Sequence, residues 1–240
     1  MSGPESPFVC AFVLDGRGSG RPVEPADLAD WRPESGILWA HLDLNWPSSR
    51  RWLREREDID EVIEDALLAN ETRPRAVSSD RGLLLVLRGV NMNPGANPDD
   101  MVAIRLWLEP QRIISSRRRK LLSIQDLSDA IAAGNGPRSV GEFVVQLVER
   151  VAERIGSVVD DIEEALEHAE QLGPRADTNA LRGQVGTLRR QTAAIRRYLA
   201  PQRDALDKLY RNPGPLFTHR EADELREQAD RITRYLEDLD

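Results

Sequence analysis

THREADELREQADRITRYLEDLD, Thr218 to Asp240, decides the architecture of the C-terminal half of this chain. Ala222, Leu225, Ala229, Ile232, Leu236 and Leu239 recur at alternating steps of three and four, the apolar stripe of a long helix that packs along other helices. Thr218 with Glu221 three residues later forms a capping box, so the start of the helix is encoded. No Gly, Asn or Pro follows Leu239 to close it, and the helix is expected to run on past Asp240 as a stalk whose continuation lies outside this sequence.

Upstream, the same rhythm appears twice more. Asn212-Pro213-Gly214-Pro215 is a turn. Before it, Leu181, Val185, Leu188, Ile195, Leu199, Leu206 and Leu209 predict a helix from about Asp177 to Leu209, with Pro201 expected to bend it. Earlier still, Ser139 with Glu142 caps a helix. Its positions Val144, Val148, Val151, Ile155, Val158, Ile162, Ala165, Ala169 and Leu172 keep a heptad-like register until Gly173-Pro174 ends it. At about 1.5 Å per residue it is on the order of 50 Å long.

The first half reads differently. Phe8 to Leu14 and Ile37 to Leu42 are strand-like, separated by a Gly/Pro-rich loop, and Ser48 to Glu57 and Ile59 to Ala69 are helix-like. Gly82 to Val90, Met101 to Leu108 and Arg112 to Ser116 are β-rich, with Asn93-Pro94-Gly95 and Glu109-Pro110-Gln111 as turns. Such short connections favour antiparallel neighbours. Ser123 with Asp126 is expected to open a helix ending near Gly134. The fold class is therefore α+β. Residues 1–136 form an α/β/α head with a mixed sheet, residues 137–215 a long antiparallel helical pair, and residues 216–240 the start of a stalk helix.

Composition narrows the function. Hydrophobic residues make up 40% and charged residues 31%, which is globular with long solvated faces. A formal net charge of -8 lacks the basic footprint of a nucleic-acid binder and favours cations. The single cysteine, Cys10, rules out an internal disulfide and a cysteine-only zinc cage, in keeping with a cytosolic chain. Met1 to Pro7 has no signal-peptide pattern, so the sequon at Asn70-Glu71-Thr72 is fortuitous, and no apolar run is long enough to span a membrane. The chain as given is expected to be soluble.

Catalytic groupings are missing from the pattern: there is no serine elbow, Walker loop, paired-histidine zinc helix or Cys/His constellation, and the chain is not expected to be an enzyme. No cofactor is required. Gly16, Gly18 and Gly20 follow a strand, but Arg21-Pro22 and Pro25 stand where a phosphate-binding helix would start, so the segment reads as a flexible loop. Arg117 to Lys120 could hold an acidic partner, though a solvated strand end is the plainer reading. His41, in an apolar strand, reads as a hydrogen-bonded core histidine. For metal, Asp161, Glu164 and His168 share one helix flank at steps of three and four, and His219 with Asp223 is a second i, i+4 pair. Imidazole with carboxylates can hold zinc, while a solvated acidic face is the ordinary alternative.

Several strings together resemble one family. WAHLDL at Trp39 to Leu44, ETRPR at Glu71 to Arg75, LRGVNMNPGANPDDMVAIRLW at Leu87 to Trp107 and RIISSRRR at Arg112 to Arg119 are similar to the ZntB zinc-transporter branch of the CorA-type divalent-cation transporters. LAPQRDAL at Leu199 to Leu206 and DRITRYLEDLD at Asp230 to Asp240 extend the resemblance. It implies the cytosolic funnel domain of a homopentameric transporter at the cytoplasmic face of the inner membrane. The last helix would lead into the pore, with a divalent cation such as zinc as the transported ligand. The family's pore motif has no counterpart in these residues. The implied partners are further copies of the chain, the membrane and divalent cations, not nucleic acid. A soluble coiled-coil interaction protein with an α/β head is the competing reading, and an enzyme on an α/β core is the weakest.

Overall fold

The computed structural model describes residues 6–172 and 178–240. Seven strands form one sheet: β1 (Phe8–Leu14), β2 (Gly20–Pro22), β3 (Ile37–Asp43), β4 (Arg75–Ser78), β5 (Leu83–Gly89), β6 (Val102–Glu109) and β7 (Arg112–Arg117). Their order is β2-β1-β3-β7-β6-β5-β4, and only β3 and β7 pair in parallel. The sheet is mixed, as the alternation in sequence implies. The β5–β6 and β6–β7 connections give the expected antiparallel ladders.

Helices cover both faces. On one side α1 (Pro47–Arg54) and α2 (Glu61–Leu68) bury Leu53, Ile63 and Leu67 against Leu38, Ala40, Leu42, Leu84, Trp107 and Ile114. On the other, α3 (Leu122–Ala132), α4 (Val140–Leu172) and α5 (Thr178–Arg211) close over Trp39, Leu85, Leu87, Ile104, Leu106 and Ile113. Successive side chains of a strand project to opposite faces, so a sheet covered on both sides reads as near-continuous hydrophobic runs, as LLLVL in β5 does. The resulting α/β/α head is continuous with the helices. One apolar cluster runs from the strands through α4 and α5 to α6 (His219–Asp238).

The three long helices have defined directions. Ser139 and Glu221 meet at one end, and Gly156 faces Tyr235 further along, so α4 and α6 run parallel. Arg226 reaches Tyr210, and Arg196 reaches Leu239, so α5 is antiparallel to α6. Pro201 lies inside α5, which continues through it although Pro supplies no donor for the carbonyl four residues back. Its neighbour Gln202 is buried and accepts a hydrogen bond from the Arg88 amide at 2.7 Å, docking α5 to β5. The Gly173-Pro174 stop and the Asp177 start lie outside the described residues.

Four expectations need correction. The Gly/Pro-rich segment after β1 is a hairpin: Asp15 accepts from the amides of Arg17 (2.8 Å) and Ser19 (3.0 Å), turning the chain into β2. A second short strand, β4, follows Pro74 at the other edge. The N-cap position of α3 is Leu121, which makes no side-chain cap, and the Ser123 hydroxyl is buried without a partner. Finally, Arg119 and Lys120 are exposed as a solvated strand end would be, but Arg117 and Arg118 are half-buried and held. Arg117 pairs with Asp43 at 3.3 Å, Arg118 donates to the Leu68 carbonyl at 3.0 Å, and Arg119 pairs with Asp100. Charges that look free along the chain are held by groups distant in sequence.

Candidate functional site

Two regions gather acidic side chains in grooves between helices. The first is where α4 and α6 begin side by side. Ser139 caps α4 by accepting from the Glu142 amide at 2.9 Å, and its hydroxyl also donates to the Glu221 carboxylate. Glu221 in turn accepts from the Thr218 amide at 2.7 Å, while the Thr218 hydroxyl accepts from the Glu221 amide at 3.2 Å. The capping box read from sequence is thus present, and it is shared with the neighbouring helix. Gly141 makes the approach possible, because a Cβ there would overlap the Glu221 carboxylate. Burial pushes the Glu221 carboxyl up, but hydrogen bonds from Ser139, Thr218 and Glu142 outweigh it and hold the group below its ordinary range.

Beside this junction lies a groove of about 520 Å³ whose lining includes Glu142, Glu149, Glu221, Glu224 and Glu227, with Arg138 and Arg220 at its edge. Arg220 pairs with Glu224 at 2.9 Å, leaving more carboxylates than cations. Sequence reasoning missed this concentration. The signal was present as glutamates in and just after the first turns of two capped helices, Glu142 and Glu149 on α4 and Glu221, Glu224 and Glu227 on α6, but only packing puts those helix ends together.

The second region is the outer part of the α4–α5 pair. Asp161, Glu164 and His168 all line a groove of about 970 Å³ together with Gly183, Gln184, Thr187 and Arg190 of α5. All three are exposed. The structure brings them to one groove wall, and Arg190 adds a positive charge from α5. Among the described residues no three His, Cys, Asp or Glu side chains converge closely enough to hold a metal ion. His219 opens α6 and Asp223 follows one turn later, both exposed and away from that groove. Burial pushes the Cys10 thiol up to about 12, so it offers no thiolate at neutral pH. His41 is wholly buried, with Nδ1 2.8 Å from the Ser115 hydroxyl, the core histidine its strand implied.

The family model described as CorA-like Mg2+ transporter protein matches residues 34–240. The chain belongs to this family. The CorA-like family is one of transporters and not of enzymes. The divalent cation transporter CmaX of Pseudomonas aeruginosa is 40% identical over 244 residues, spanning 100% of this chain and 73% of that protein. The zinc transport protein ZntB of Pectobacterium carotovorum is 33% identical over 238 residues, spanning 97% of this chain and 70% of its own length. Among solved structures, full-length CmaX superposes with a TM-score of 0.90 at 39% identity, covering 100% of this chain and 74% of that one. The ZntB cytoplasmic domain of Vibrio parahaemolyticus gives 0.81 at 26% identity, covering 98% and 91%. The CorA-like chain thus has the fold of a transporter's cytoplasmic domain, and among its described residues no helix is long and apolar enough to cross a membrane.

Proposed function

We propose that this chain is the cytoplasmic funnel domain of a CorA-like transporter that carries a divalent metal ion, zinc in the first instance. It acts as one of five identical subunits at the cytoplasmic face of the inner membrane. The observation that carries the reading is the likeness over nearly the whole chain to a ZntB cytoplasmic domain, to which that name attaches zinc. In the assembly the domain's work is to help align the subunits, to concentrate cations near the axis and to bias gating. A net charge of -8 per chain, repeated around an axis, raises the local cation concentration, an effect that salt screens. The interaction-protein reading is less well supported, because the apolar stripes of α4, α5 and α6 are spent on one another and on the sheet.

Within this function, Asp161, Glu164 and His168 are the proposed discrete zinc contacts, with His219 and Asp223 as a second pair. Isothermal calorimetry with zinc on the parent chain and on His168→Ala tests the discrete site. The parent should bind more tightly, and its advantage should fade as pH falls below about 6.5, since only the neutral ring coordinates. Superimposable curves would reduce the site to diffuse attraction on an acidic face. Zinc uptake by vesicles containing the full-length protein tests the transport reading separately.

A further inference from the structure

From Thr178 to Arg203 the helix α5 holds six arginines and no acid, in a chain whose net charge is -8. Arg182 and Arg189 stand seven residues apart, nearly two turns, and so do Arg190 and Arg197. These four therefore form two rows on one face about 100° wide, and all four are exposed. Gly186 and Ala193 lie between the rows, so the middle of the face is low. Arg196 is taken up by Asp240 and Arg203 by Asp204. Among the described residues no carboxylate forms an ion pair with the other four.

The helix α4 is the converse. Glu149, Glu153, Asp160, Glu164 and Glu167 follow one another at steps of four, seven, four and three, a single stripe of exposed carboxylates. The stripe lies opposite Ile155, Ile162 and Ala169, which are buried, so it points straight away from the core of its own chain. None of the five is in an ion pair among the described residues.

The two faces match in height. α4 runs parallel to α6 and α5 antiparallel to it, so α4 and α5 are antiparallel, and Ile162 and Leu188 meet in the same two grooves between them. Counted from that level, Glu153 stands at the height of Arg197, Asp160 at that of Arg190 and Glu167 at that of Arg182, each within about one residue of rise. Within one chain these groups stay apart because the α4 stripe faces outward. Rotation about an axis along the helices carries one copy to the next without changing height, so acids and arginines of adjacent copies arrive level. A contact between two different patches of one molecule is head-to-tail, the kind that closes into rings.

We propose that the arginine face of α5 docks on the acidic stripe of α4 in a second copy of this chain, with Arg197, Arg190 and Arg182 opposite Glu153, Asp160 and Glu167 of the partner subunit. The inference rests on the reading of identical subunits around one axis and names the surfaces that join them. An anionic bilayer also suits the arginines, but it leaves the acidic stripe and the matched heights without a role, and it repels a chain of net charge -8.

The test is sedimentation equilibrium of the 240-residue chain at about 20 mM salt, where screening is weak. One variant reverses α4 (Glu153→Lys, Asp160→Lys, Glu167→Lys) and another reverses α5 (Arg182→Glu, Arg190→Glu, Arg197→Glu). Each should weaken self-association at least about ten-fold. Reversing α4 brings the net charge nearer zero, so general repulsion alone would strengthen association there instead. The two reversed chains, mixed, should bind each other, and both reversals in one chain should restore self-association, because the signs are exchanged at every pair. A parent chain that stays monomeric, a reversal without effect, or reversed chains that fail to bind each other would each overturn the docking. Binding of the parent to phosphatidylglycerol vesicles that the α5 reversal abolishes, with self-association unchanged, would assign the arginines to a lipid surface. Full-length protein that is pentameric in detergent while the reversals have no effect on the 240-residue chain would overturn this surface alone; monomeric full-length protein would overturn the subunit reading as well. None of the six reversed residues is a proposed zinc contact, so metal binding is read separately.

Discussion

Leu106 sits in the middle of β6, opposite Leu85 on one neighbour and Ser115 on the other, closed off from solvent. Leu106→Asp places an unpaired carboxylate in that core and should destabilise the chain by about 3–5 kcal/mol, read as a fall in the urea midpoint. Unchanged urea unfolding would mean that the strand is misassigned. His41 offers a second test at this scale. Burial first, and then the charge of Arg117, lower its pKa from 6.5 to about 3. Between those values the unfolded chain binds a proton that the folded chain refuses, so stability is full above pH 6.5 and falls as pH drops towards 3. The slope approaches about 1.4 kcal/mol per pH unit. Melting measured between pH 6.5 and 5 lies above the range in which Asp100 and Glu221, both held low, begin to protonate. His41→Gln should flatten the profile in that window. An unchanged slope would place the proton uptake elsewhere.

At the scale of elements, the junction of α4 with α6 depends on a glycine and on a glutamate that serves two helix ends. Gly141→Ala displaces the Glu221 carboxylate from both Ser139 and Thr218, so it should cost about 1–2 kcal/mol, the value of a lost cap. Amide exchange should then speed up at the start of α6 before that of the sheet. Gly183, in α5, has open space where a Cβ would stand, so Gly183→Ala should be neutral or stabilising by up to about 1 kcal/mol. Equal effects of the two alanines would show that helix propensity, not the shared cap, sets the cost. The capping boxes themselves were legible in sequence because a cap is made within four residues. Their sharing was not, because nothing local records which helix ends adjoin.

For the molecule as a whole, the stripe of Ala222, Leu225, Ala229, Ile232, Leu236 and Leu239 packs along other helices, as its spacing implies. It lies against the helices of its own chain, with Leu236 alone partly buried. The outward face of α6 presents Arg220, Asp223, Glu227, Asp230, Arg234 and Glu237 to solvent. Association of this chain through that face rests on charges of both signs in water, which are individually weak and screened by salt. Light scattering on the 240-residue chain should therefore show weak self-association that dissolves as salt is raised, whereas full-length protein in mild detergent should be pentameric. Full-length protein that stays monomeric would rule out the pentamer.

The sequence by itself determined what depends on neighbours a few residues apart: among the described residues, five of the seven strands, all six helices, two helix caps and the buried state of His41. Periodicity and capping are local, and they survive in the fold except at the start of α3, where Ser123 makes no cap. The edge strands β2 and β4 escaped because GRP and RAVS are too short to show alternation and take their extended form from the strand beside them. Tertiary structure alone decided the strand order, the parallel contact of β3 with β7, the partner of the α6 stripe and the fate of the arginines. Arg117 finds Asp43, while Arg105 and Arg118 reach the carbonyls at the end of α2 and just beyond it, with no carboxylate among the described residues paired to them. The physical reason is range: backbone preference acts over one turn of chain, whereas Coulomb energy and burial depend on distances that only the closed sheet and its packed helices create.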